Sequence, residues 1–258
     1  KAKTWTNMTN TRSHYKFISV VMLLIFSTEV QANDLTVTAF GLYEQANNEI
    51  TIDGVSTKYA LGVTGIELRK EFNNSITLSA RAGYGQNANQ STSFGGANFN
   101  GKVTGSYFSV YGSYTFFVRE RLSLFGTTEF AHKALNAPDL LGSRNGLDLT
   151  GNAKTTIKNA DLLLGVNYTL TDTLSAQLSA GVSQWRIKSD ATAYYSSNGL
   201  SATARKNIDA RGTDPIFAIG VKTTKENHNF EVKLLDRSLR SQTRTSITSA
   251  ELTYSYQF

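Results

Sequence analysis

Cysteine is absent from the chain, which excludes a disulfide framework and any thiol nucleophile or thiolate metal site. Proline occurs twice and histidine three times, as His14, His132 and His228, too few for a His-rich metal cluster. Beyond the first thirty residues no run approaches the roughly 18 apolar residues of a membrane-crossing helix, so a helical membrane protein is excluded. What remains is 258 residues of mean hydropathy −0.27, with 20 Gly, 12 Tyr and a formal charge of +6. That length suits a single all-β domain. On composition alone this is a basic soluble protein, with nucleic acid as the obvious partner; the sequence pattern removes that reading.

Residues 8–32 read as a secretory signal peptide. Arg12 and Lys16 form a positive region and Phe17 to Phe26 an apolar stretch of ten. Val30 and Ala32 place small residues at −3 and −1 before Asn33. Met8 is a plausible start, which makes residues 1–7 an upstream extension. Residues 1–32 hold four Lys or Arg and one acid, so residues 33–258 carry 22 basic and 19 acidic groups, or +3. The nucleic-acid reading loses its support, and export without cysteine points to a bacterial envelope.

From Leu35 the chain alternates with period two. In the last segment Ala250, Leu252, Tyr254, Tyr256 and Phe258 oppose Ser249, Glu251, Thr253, Ser255 and Gln257. Successive strand side chains point to opposite faces, so this strand has one apolar and one polar side. Six more segments show the pattern, beginning near Leu35, Ile76, Phe108, Leu162, Leu174 and Phe217. Lys58 to Phe72, Leu122 to Leu135 and Phe230 to Arg240 are noisier and suggest phase slips or bulges. The count is ten strands, with eight and twelve as alternatives.

A soluble sandwich and a membrane barrel both alternate in this way. The polar face here mixes Gly and Ser with charges of both signs: Glu67, Arg69, Arg81, Glu129, Asp161, Glu231, Lys233 and Glu251. Such a set suits a packed lumen, where buried charges must be paired. Many segments also exceed the five or six residues of an ordinary strand and reach the nine to eleven of a tilted membrane crossing. Asn73-Asn74, Arg119 to Arg121, Thr171 to Thr173 and Glu226 to His228 read as tight turns. Long polar loops are expected near 45–57, 86–103, 135–153 and 189–213, with a shorter one near 241–246. Short turns at one end and long loops at the other is the layout of an antiparallel, up-and-down transmembrane β-barrel spanning residues 33–258.

On the signal peptide, the ten alternating segments and the ending Tyr254-Ser255-Tyr256-Gln257-Phe258, the chain resembles the bacterial outer-membrane β-barrel superfamily. The resemblance implies an outer-membrane location and recognition of Tyr254, Tyr256 and Phe258 by the barrel-assembly machinery. Tyr43, Tyr84, Phe116, Tyr168, Trp185, Tyr254 and Tyr256, near expected strand ends, suit the aromatic girdles of such barrels.

Some barrels of this size are enzymes, but the sequence offers no catalytic constellation, metal site or cofactor motif. No Asp-x-His pair of the omptin proteases occurs, and His228 falls in an expected periplasmic turn. His132 is the one candidate base for a Ser-His phospholipase or deacylase, and Glu129 three residues earlier faces the other side of the strand. A ten-strand bore lined by charges should be mostly plugged. Arg186, Lys188, Arg205, Lys206, Arg211, Arg237, Arg240 and Arg244 are then placed to form one basic extracellular rim. Lipopolysaccharide phosphates are its nearest anionic partner. The sequence-based expectation is a monomeric, non-enzymatic barrel binding lipopolysaccharide or an external or host partner. A narrow or gated pore is the first alternative. The second is a solitary autotransporter-like barrel, since the first strand begins two residues after the expected cleavage site.

Overall fold

The computed structural model describes residues 35–46, 50–52, 54–58, 60–72, 75–86, 90–94, 96–197, 200–240 and 245–256. The expected signal peptide, the turn Asn73-Asn74, Arg244 and Phe258 lie outside the described residues. Fourteen strands follow in order: β1 (Leu35–Ala46), β2 (Ile50–Ile52), β3 (Val55–Lys58), β4 (Ala60–Phe72), β5 (Ile76–Gln86), β6 (Gln90–Phe94) and β7 (Ala97–Gly101). Then come β8 (Thr104–Arg119), β9 (Leu122–Arg144), β10 (Leu147–Thr171), β11 (Leu174–Ser197), β12 (Leu200–Lys225), β13 (His228–Ser238) and β14 (Ser246–Tyr256).

Ten of them close a ring. The order β1-β4-β5-β8-β9-β10-β11-β12-β13-β14 returns to β1 through antiparallel pairs, such as Gly41 with Leu252. Closure satisfies the backbone hydrogen-bonding groups that an open sheet leaves bare at its edges. The short strands β2, β3, β6 and β7 add to β9 as a side sheet, through Phe99 paired with Gly142.

The segments expected as long loops at 135–153 and 189–213 are strand. β9 to β12 run 23 to 26 residues, far more than a membrane crossing needs, and stand above the ring as paired hairpins. The β9–β10 hairpin closes on Asn145 and Gly146, with φ of 52° and 78°. A positive φ at both central positions is what a tight hairpin turn requires, and Asn-Gly is the pair that tolerates it.

A reversal of polarity explains these long strands. In the lower part of β11, Ala176, Leu178, Ala180 and Val182 face outward; above them, Trp185, Ile187, Ala191 and Ala193 face inward and are buried. β10 reverses between Leu162 and Ile157, and β12 between Phe217 and Ala210. No register shift accompanies these changes, so the pairing runs straight through. Below the reversal the surroundings are apolar and the lumen polar; above it water lies outside and the core within. The noise at Leu122 to Leu135 has the same origin. β9 pairs with β10 without interruption there, Phe130 facing out and Ala131 in, while on its other edge the pairing with β8 shifts register between Thr115 and Phe117, opposite Phe125 and Leu124, so a reversal and an expected irregularity coincide.

The outward face below the reversal is a belt. Its rows on β9 to β12 read Leu124–Val166–Leu178–Ile219, then Gly126–Leu164–Ala180–Phe217, then Thr128–Leu162–Val182–Pro215. Leu164 is 64% exposed and Val182 50%, values suited to hydrocarbon rather than water. Val37, Ile66, Val232 and Leu252 carry the belt round the other side. Tyr43, Tyr84, Phe116, Tyr168 and Tyr254 are outward and exposed.

Above the belt the interior is a hydrophobic core built from Leu61, Leu135, Ile157, Trp185 and Ile187, and Val63, Leu42 and Phe40 carry it down to belt height. Ile50 and Val55 of the β2–β3 hairpin and Phe99 of β7 close over it. Gly65 makes room for the Phe40 ring: a Cβ there would stand 2.8 Å from Phe40 Cε1 and 2.2 Å from the Ala82 carbonyl oxygen.

Candidate functional site

Inside the ring, alternate side chains converge in two charged layers, beside Phe40 and Leu42 and beneath the rest of the apolar core. In the lower layer Glu67 accepts hydrogen bonds from Arg69 Nε at 2.9 Å and Arg81 Nε at 2.8 Å. Arg81 also reaches Glu251 at 2.9 Å and lies over the rings of Phe40 and Tyr111. Glu129 accepts from Tyr107 Oη at 2.8 Å, and Glu231 from Gln177 Nε2 at 2.7 Å. Lys233 lines a cavity of about 30 Å³ together with Glu129 and Glu251. Pairing of this kind is what buried charge requires.

The upper layer contains residues that the sequence reading placed elsewhere or passed over. Arg237 was expected on the extracellular rim. Instead it is 6% exposed, faces the lumen and is bonded to Asp161. The reason is its parity: Glu231, Lys233, Leu235 and Arg237 share the inward face of β13. Asp161 also accepts from Ser183 Oγ at 2.5 Å and Asn159 Nδ2 at 2.9 Å, and Arg237 Nε donates to Ser183 Oγ at 2.9 Å. Lys133 pairs with Glu44 across the bore. Trp185, expected in a girdle, is 2% exposed, and its Nε1 donates to Asp214 at 2.8 Å. It sits above the reversal, where odd positions of β11 face inward. Below both layers a wider polar cavity of about 370 Å³, lined by Arg69, Tyr111, Asn167, Gln177, Lys222 and Glu231, opens at the turn end.

On the outside, cations begin where the belt ends. The last belt row is Phe130–Ala160–Gln184–Thr213. The next row on the same face is His132–Lys158–Arg186–Arg211, four consecutive cross-strand neighbours on four strands. With strands about 4.8 Å apart, that row spans roughly 14 Å. Higher on the same face stand Lys188, Lys154 and Arg205, with Asp209 and Asp190 as the nearby acids. Arg186 donates to Asp209 through Nε at 2.7 Å and Nη2 at 2.5 Å, and Lys188 Nζ lies 3.5 Å from the same carboxylate. The hydrogen bonds from Arg186 hold the Asp209 carboxyl down at about 2.

The eight residues expected as one rim are therefore divided. Arg186, Lys188, Arg205 and Arg211 share the outer face of β11 and β12. Lys206 lies on the opposite face of β12, the side of Ala210 and the core. Arg240 follows β13 and is exposed. Lys154 and Lys158 were missed, and His132, weighed as a catalytic base or a rim histidine, stands in the rim row. Parity alone finds them once the reversal is known, since each holds the outward position two or more residues above the belt.

His132 points outward from β9 while Glu129 points into the lumen, so the two cannot act on one substrate. Among the described residues no group of three His, Asp or Glu side chains is placed to hold a metal ion.

No family model and no curated protein sequence matches the chain. Solved structures do. The translocator domain of autotransporter NalP from Neisseria meningitidis superposes with a TM-score of 0.50 at 13% identity, covering 96% of this chain and 97% of that one. The beta domain of the Bordetella autotransporter BrkA gives 0.48 at 15% identity, over 87% and 100%. The outer-membrane protease OmpT from Escherichia coli gives 0.47 at 10% identity, over 87% and 95%. At such identities a likeness speaks for architecture only. Closed ring, outward apolar belt and the match to the NalP translocator agree on one statement: this chain has the fold of the bacterial outer-membrane β-barrels.

Proposed function

We propose that the protein is a non-enzymatic outer-membrane barrel, closed to bulk solutes, whose outer face above the belt binds lipopolysaccharide phosphates. One observation carries this reading: the row His132–Lys158–Arg186–Arg211 directly follows the belt's half-polar border row, Phe130–Ala160–Gln184–Thr213. A barrel whose belt matches the hydrocarbon thickness holds that row at headgroup depth, where anionic phosphate is the abundant ligand. Arg and Lys supply charge-assisted donors there, and Arg can grip phosphate with two bonds at once. The core above the charged layers argues against the pore alternative, because a solute would have to pass Leu135, Ile157, Trp185 and Ile187.

The test is the affinity of purified, detergent-solubilised protein for lipopolysaccharide, with Lys158, Lys188, Arg205 and Arg211 all replaced by Ala. At about 0.5–1 kcal/mol for each exposed contact, the four together should lower affinity on the order of a hundredfold. The wild-type affinity should also fall with added salt, since exposed charges are screened. An affinity unchanged by the fourfold replacement refutes the reading.

A further inference from the structure

The ring leaves one strand unfinished. β12 pairs with β11 along its length from Leu200 to Thr223, but with β13 only from Ile216 to Lys225. Among the described residues no strand pairs with the other edge of Leu200 to Pro215. This is a long edge standing above the belt, with Ser201 to Arg205, Asn207, Asp209 and Arg211 exposed. Bare edges of this kind are templates for another strand.

The charges on this edge select the strand. Consider an antiparallel copy of β12 laid against it with Asn207 opposite Asn207. Arg205 then faces Asp209 of the copy, Asp209 faces Arg205, Thr203 faces Arg211, and Lys206 faces Ile208. Opposite charges directly across an antiparallel pair are favourable, and like charges are not. Sliding the copy by two residues one way sets Arg205 against Arg211. Sliding it the other way sets Lys206 against Lys206. Asp209 already accepts from Arg186, but a carboxylate has acceptor sites for a second arginine.

Membrane geometry then decides where the copy resides. Two barrels in one membrane send β12 in the same direction, so their edges can meet only in parallel about an axis along the strands, which turns the copy's core-facing side, Ile208 and Ala210, to the outer face and leaves Arg205 with no Asp209 across from it. An antiparallel pair about a two-fold axis normal to the barrel wall needs its two barrels in facing membranes. We infer that the free edge of β12 joins a second copy of this chain across two apposed membranes, strand to strand and antiparallel about Asn207. Within a single membrane each copy stays monomeric.

The absence of cysteine provides the test. Directly opposed residues of an antiparallel pair have Cα atoms about 4.5–5.5 Å apart, within disulfide range. Full-chain Asn207→Cys protein, tagged at two different sizes, is placed in two populations of phosphatidylethanolamine–phosphatidylglycerol vesicles. The populations are mixed under mild oxidation. Disulfides between the two tags should form about tenfold faster than for Asp190→Cys, which is exposed at the same height one strand inward. Heat-modifiable gel migration verifies that each variant is folded.

A second pair protects the test against a misfolded variant. Thr203→Cys in one population should crosslink with Arg211→Cys in the other, and neither with itself. Equal rates for Asn207→Cys and Asp190→Cys overturn the inference, as do crosslinks confined to copies sharing one vesicle. The vesicles contain no lipopolysaccharide, so this outcome is independent of the phosphate-binding reading.

Discussion

Replacing Asp161 by Ala removes the acceptor shared by Arg237, Ser183 and Asn159 beneath the apolar core. The side chains of Asp161 and Arg237 are 1% and 7% exposed, so the orphaned guanidinium cannot turn to water without disturbing the packing. Removing one partner of such a pair costs about 3–5 kcal/mol, because a charge stays buried and unpaired. Replacing both, Asp161→Leu with Arg237→Met, should come within about 1–2 kcal/mol of the original, since the isolated charge is gone. The difference between the double variant and the sum of its own singles, Asp161→Leu and Arg237→Met, is the coupling, expected at several kcal/mol in favour of the pair. Urea unfolding in phospholipid vesicles measures it, with the fluorescence of Trp185, the one tryptophan of residues 33–258, as probe. The midpoint should fall for Asp161→Ala at unchanged slope. A loss below about 1 kcal/mol, within the range of a solvent-exposed pair, would refute the buried lumen network at this level.

Three further outcomes follow from the same geometry. Asp209→Asn should raise lipopolysaccharide affinity, because it frees Arg186 and Lys188; acidification should act the same way only as pH falls toward 2, where the depressed carboxyl finally protonates. The small stability the Arg186–Asp209 pair supplies is present above pH 4 and lost over that window, and a urea midpoint that rises on acidification there contradicts the sign. Trp185 should emit at short wavelength and resist both acrylamide and brominated lipid acyl chains, since it lies in the core; strong quenching by the lipid would return it to a girdle. In planar bilayers the protein should show no stable openings of porin size, and such openings would overturn the closed barrel.

The barrel itself was legible because period two is a direct readout of which side of a strand meets lipid. Leu252 and Tyr254 against Glu251 and Thr253 needed no structure to interpret. The hairpins above the belt were not legible, because the rule changes sign there. From Lys154 to Lys158 and from Trp185 to Ala193 the apolar residues sit on the inner parity, and the outer parity is charged. A reading that expects one phase throughout sees a polar loop, although Asn145-Gly146 marked a hairpin tip in plain sequence. Arg237 was misplaced for a related reason: nearness in sequence to a loop suggested the rim, whereas its parity with Lys233 placed it in the lumen. The pairing of Arg186 and Lys188 with Asp209 joins residues on two strands, and only the register reveals it.

The most direct measurement compares intact with enzymatically dephosphorylated lipopolysaccharide, titrated onto the same wild-type protein in detergent. Phosphate recognition by Lys158, Arg186, Lys188 and Arg211 predicts that removing the phosphates lowers affinity by at least about tenfold and abolishes its salt dependence. Equal affinity for the two lipids, with the same response to salt, would contradict it.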